Sequence, residues 1–63
     1  MNSMDRNRIV RDLRVAELYV EEIRGALVNY EICRMWAVRD EQTRELAYWE
    51  GEVRSLREKL AVA

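Results

Sequence analysis

Histidine, proline and phenylalanine are absent from this 63-residue chain, which carries one cysteine and two glycines. Each scarcity closes off a class of explanation. Without histidine there is no side chain that works as a general base near neutral pH at its ordinary pKa. The single thiol, Cys33, forms no internal disulfide, and with scattered carboxylates it makes no zinc set. Two glycines are too few for a phosphate-cradling loop, and both lie within periodic apolar patterns. No run of residues approaches the ~18–20 apolar positions of a membrane span. The opening MNSMDRNRIV lacks the uninterrupted apolar core of a signal peptide. The expectation is therefore a non-enzymatic cytoplasmic protein with no catalytic residues, no cofactor, no metal and no membrane contact.

Charge is balanced as well: 11 basic against 12 acidic side chains give −1 overall. No global field draws the chain to nucleic acid or to an anionic membrane. A single domain of this length is hard to stabilise alone, and with disulfides and metals removed the remaining support is oligomerisation.

What the chain does have is helix-forming periodicity. Ile9, Leu13, Ala16, Val20, Ile23, Leu27 and Tyr30 are spaced alternately four and three apart, the seam of a heptad repeat. Leu46, Trp49, Val53, Leu56 and Leu60 form a second such seam. The two are out of register, since continuing the first places Arg34, Ala37, Glu41 and Arg44 on the seam. A turn resolves the conflict, and Arg39-Asp40-Glu41-Gln42-Thr43 is the most polar stretch between the patterns. The reading is one domain over residues 1–63: a first helix over about 3–38, a turn at about 39–42 and a second helix over about 41–61. Asp40 serves as N-cap of the second helix. A continuous helix with a phase discontinuity is the alternative.

Residues 26–38, ALVNYEICRMWAV, are interrupted only by Asn29, Glu31 and Arg34. On one helix they would be apolar all round, whereas the second helix is one-sided, its outer surface helped by Glu50 and Arg54 at i,i+4. A short second helix covers one side of the first and leaves the region of Ile9 and Leu13 bare. The other side carries Leu18, Val28, Ile32, Met35 and Trp36, too much apolar surface for a small monomer. The expected architecture is an all-α antiparallel two-helix hairpin with coiled-coil-like packing. It associates as a homodimer, a four-helix bundle with the first helix central. The expected oligomer interface is Ile9, Leu13, Leu18, Val28, Ile32, Met35 and Trp36.

Cys33 reads as a small buried hydrophobe, and Glu17, Glu21 and Glu22 as a solvated acidic face. Arg8, Arg11 and Arg14 occupy successive turns, with Arg6 nearby, in the one net-basic region. A small dimeric helical hairpin with such patches resembles, in architecture and length, the Rop type of plasmid RNA-binding protein. That resemblance implies nucleic-acid binding through Arg6, Arg8, Arg11 and Arg14, although no aromatic residue interleaves them to stack on bases. Trp49-Glu50-Gly51 has the W-x-G form that resembles the turn of a family of small secreted helical hairpins. Here the heptad from Leu46 to Leu60 runs through it and makes it mid-helical.

The function expected is that of a small dimeric regulator, adaptor or inhibitor, of the kind phages and mobile elements encode, bound to a larger protein. Arg8, Arg11, Arg14, Trp36 and Tyr48 are the candidate partner-binding residues. The alternatives are the nucleic-acid binder just described and a structural coiled-coil component of a larger assembly.

Overall fold

The computed structural model describes residues 3–62. Helix α1 spans Ser3–Ile32 and helix α2 spans Trp36–Ala61, and they fold back on one another as an antiparallel hairpin measuring 47 × 13 × 12 Å. Both seams face inward. Ala16, Val20 and Ile23 of α1 and Val53 and Leu56 of α2 are buried. Ile9, Leu13, Leu46 and Trp49 pack against this core, and Leu27, Tyr30 and Leu60 are half-buried. Alternating spacings of three and four keep each apolar stripe on one side of its helix, so two stripes bury each other along the whole length.

The turn lies at Cys33–Met35, upstream of the expected position at 39–42, and the first helix stops at Ile32 rather than near residue 38. The backbone explains where it stops. Met35 N–H donates to Tyr30 O at 2.8 Å and Arg34 N–H to Glu31 O at 3.1 Å, while Arg34 has φ 58°. A six-to-one bond enclosing a five-to-two bond around a left-handed residue is a Schellman ending, which satisfies carbonyls the helix leaves unpaired. Glycine usually occupies the left-handed position; here it is arginine, so composition gave no sign of a turn.

Helix α2 begins directly afterwards, with Arg39 N–H donating to Met35 O at 3.0 Å. Met35 is its N-cap and supplies no side-chain hydrogen bond; Asp40, the expected cap, lies inside the helix. The polar stretch 39–43 is helical because it continues the second seam. Stepping back from Leu46 by four and three reaches Gln42 and Arg39, both half-buried. The Thr43 hydroxyl donates to Arg39 O at 2.8 Å, a local bond within the first turns.

Relocating the turn changes what is covered. The 30 residues of α1 and the 26 of α2 span about 45 and 39 Å at 1.5 Å per residue. The second helix therefore reaches almost to the start of the first, and Ile9 and Leu13, expected to be left bare, pack within the chain. The 26–38 stretch is likewise no single all-round apolar helix. Leu27 and Tyr30 face α2, Val38 is half-buried on α2, and Val28, Ile32, Met35 and Trp36 stay exposed around the turn. Trp49-Glu50-Gly51 is mid-helical.

Candidate interaction surfaces

The two flanks of the hairpin differ in chemistry. On one, ion pairs cross between the helices at three levels: Glu17–Arg57 at 3.8 Å, Arg24–Glu50 at 2.8 Å and Glu31–Arg39 at 2.9 Å. Glu50 pairs across the hairpin with Arg24, not along α2 with Arg54 as the spacing suggested. All three pairs are exposed, so each contributes up to about 1 kcal/mol; their spacing along the rod favours one alignment of the helices. Glu17 is thus engaged in the fold. Among the described residues no group of three His, Cys, Asp or Glu side chains is placed to hold a metal.

The other flank is aromatic. Tyr19 stacks on Trp49 across the helices with ring centroids 4.6 Å apart, and Tyr48 meets Trp49 edge-on at 5.1 Å. Val15 lies beside them in a shallow groove also lined by Trp49, Asp12 and Lys59. Sequence reasoning singled out Tyr48 and placed Trp49 on the seam, but missed the cluster. Tyr19 is next to seam residue Val20 in sequence but off the seam's period, and only the pairing of α1 with α2 brings it onto Trp49. Aromatic pairs of this geometry add about 0.5–1.5 kcal/mol beyond burial.

At the turn, four large apolar side chains are exposed together: Val28, Ile32, Met35 and Trp36. Trp36 is flanked by a cation, the Arg39 guanidinium lying 6.0 Å from the ring centroid. Arg39 is held in turn by Glu31 at 2.9 Å and Asp40 at 3.6 Å. Those anchors limit the freedom of the arginine beside the indole, so the ring is exposed yet braced. Cys33, expected to be buried, is exposed in the turn.

Arg8, Arg11 and Arg14 are exposed towards the open end of the hairpin, far from Trp36, and Tyr48 lies midway along α2. The expected partner-binding residues therefore form three separate surfaces rather than one. Of the expected interface, Leu18, Val28, Ile32, Met35 and Trp36 are exposed and Ile9 and Leu13 are not. No helix of the described residues is long and apolar enough to cross a membrane. Comparison with protein-family models, curated proteins and solved structures returns no match.

Proposed function

We propose that this chain is a non-enzymatic protein–protein interaction module that acts in the cytoplasm. It associates with itself through α1 and docks a larger protein through the turn. The observation that carries the reading is the group of exposed apolar side chains, Val28, Ile32, Met35 and Trp36, at one end of a hairpin whose core holds five buried residues. Surfaces of this kind are expensive to leave in water and are typical of binding sites. Tryptophan beside an anchored arginine is the pairing enriched at interface hot spots, and methionine adapts to an irregular partner surface. A regulator, adaptor or inhibitor fits that chemistry, since binding is all the surface offers.

The test is quantitative binding. A protein captured by the wild-type chain from source-cell lysate is purified and titrated with variants. Trp36→Ala should weaken its affinity by about thirtyfold, the effect of losing about 2 kcal/mol at a hot spot. Its effect on folding should stay below about 1 kcal/mol, because the indole is exposed. Tyr48→Ala should leave binding unchanged. Equal binding by wild type and Trp36→Ala would overturn the assignment of the turn.

A second reading, the nucleic-acid binder, has one supporting observation. Among the described residues Arg8, Arg11 and Arg14 are exposed and make no ion pair within the chain. Tight binding of RNA or DNA that falls steeply with salt would favour it over the first.

A further inference from the structure

The side of α1 that faces away from α2 has a pattern of its own. At 100° per residue, Met4, Asn7, Arg11, Arg14, Leu18, Glu22, Gly25, Asn29 and Ile32 all lie within about 40° of the direction of Leu18. Every one of them is exposed, whereas the seam residues on the opposite side are buried or half-buried. The line is symmetric about Leu18. Positions equally far from it along the helix are alike or complementary: Arg14 with the oppositely charged Glu22, the long Arg11 with the side-chain-free Gly25, Asn7 with Asn29, and Met4 with Ile32. The last two are among the most exposed apolar residues described, at 78% and 74%, and Leu18 at the centre is 56% exposed.

We propose that a second copy of the chain packs antiparallel along this line, about a two-fold axis at Leu18, with Arg14 of each chain paired to Glu22 of the other. This rests on the self-association in the proposed function and specifies its geometry. An isologous contact brings each position against its counterpart across the axis, so a palindromic line is self-complementary only when antiparallel. Leu18 meets Leu18, Met4 meets Ile32 at both ends, and Asn7 meets Asn29 in a polar layer of the sort that fixes register. Glu21 follows on the same flank as Arg14 and adds a second carboxylate to each cation. A parallel arrangement would set Arg11 on Arg11, Arg14 on Arg14 and Glu22 on Glu22, all repulsive.

Two features inside the chain agree with this. Arg11, Arg14, Glu21 and Glu22 make no ion pair among the described residues, unlike Glu17, Arg24 and Glu31 on the flank, so their charges are free to meet those of a neighbour. Gly25 stands in mid-helix, where glycine is costly, and nothing lies within 4 Å of where its Cβ would be. The fold therefore gives no reason for a missing side chain there. The antiparallel pairing does, because it sets the long stem of Arg11 against that position. The corresponding outward line of α2, Asp40, Arg44, Ala47, Gly51, Arg54 and Glu58, carries no large apolar side chain and suits solvent better.

A charge-exchange experiment tests the arrangement. The Arg14→Glu and Glu22→Arg variants are made separately and as a double variant, with circular dichroism to compare their helical content. Dimer dissociation constants come from sedimentation equilibrium at low salt. Each single variant should dimerise about tenfold more weakly or worse, since two pairs turn repulsive at once. The double variant should dimerise more tightly than either single variant, while staying short of wild type because Glu21 still faces position 14. An equimolar mixture of the two single variants should form heterodimers in preference to either homodimer, because both cross-chain pairs then have opposite charges. Dimerisation of the single variants like wild type would overturn this arrangement while leaving self-association standing. Weakened single variants without rescue would also overturn it. A wild-type chain that stays monomeric would overturn the parent reading instead.

Discussion

The Arg34 side chain belongs to a residue held in the left-handed region by its neighbours' hydrogen bonds, Met35 to Tyr30 and Arg34 to Glu31. A residue with a Cβ at that position costs about 1–2 kcal/mol relative to the right-handed basin. Glycine does not carry this cost, at the expense of greater freedom in the unfolded chain. Arg34→Gly should therefore stabilise the hairpin by about 0.5–1 kcal/mol and raise the melting temperature by several degrees for a domain of this size. A thermal melt at fixed protein concentration measures it; a lower midpoint would mean that the arginine side chain contributes more than its backbone costs. The same residue shows why the turn was illegible in the sequence. The signals that mark a helix end are glycine, asparagine and proline, and the turn Cys33-Arg34-Met35 contains none of them. The exposure of Trp36, Ile32 and Leu18 is legible, because each falls off its seam by period, whereas Met35 is a second-seam position by spacing and is exposed because it lies in the turn.

At the scale of the helices, the mismatch between the two seams was the strongest information in the chain, and it implied two elements. Polarity points to residues 39–43 for the break, and the structure places it upstream at Cys33–Met35. Phase is the better guide. The first seam runs out after Tyr30, whose next position would be Arg34, and the second extends backwards through Gln42 to Arg39. The registers meet at Cys33–Met35, where the helices are in fact interrupted. Half-buried Gln42 and Arg39 are seam positions filled by polar side chains, so composition concealed a pattern that spacing retained. From this followed the error over Ile9 and Leu13, since a second helix starting at residue 36 is long enough to cover them. The hairpin itself is open to direct measurement. Spin labels on Glu21 and Arg54, which line the same interhelical groove, should lie about 10–20 Å apart within one chain, allowing for helix packing and label length. Samples diluted with unlabelled chain isolate that distance. A continuous helix would separate them by about 50 Å at 1.5 Å per residue.

For the molecule as a whole, the balance of inside and outside is what requires explanation. Among the described residues five are buried, the largest of them isoleucine and leucine, while Met4, Leu18, Val28, Ile32, Met35, Trp36 and Tyr48 are exposed. A core of that size is a small foundation for a chain of this length, and exposed apolar residues in such number have an outlet in association. In the proposed arrangement they divide by place: Met4, Leu18 and Ile32 along the outer line of α1 for a second copy, and Val28, Met35 and Trp36 at the turn for a different protein. Ile32 adjoins both regions. The aromatic cluster of Tyr19, Trp49 and Tyr48 belongs to the hairpin's own cohesion. Part of this division is legible in the sequence, where the period sets Leu18 and Ile32 opposite the first seam; the separation of Val28, Met35 and Trp36 from them depends on where the turn falls.

Self-association through α1 is the central claim, and sedimentation equilibrium of the wild-type chain beside a Leu18→Glu variant tests it most directly. Leu18 is exposed in the hairpin, so glutamate there should change monomer stability by less than about 0.5 kcal/mol. In the dimer it would place two carboxylates together on the two-fold axis. The wild type should sediment at twice the chain mass at micromolar concentration and Leu18→Glu at the single-chain mass, with helical content retained. A wild-type chain that remains a well-folded monomer across the accessible concentration range would contradict that claim.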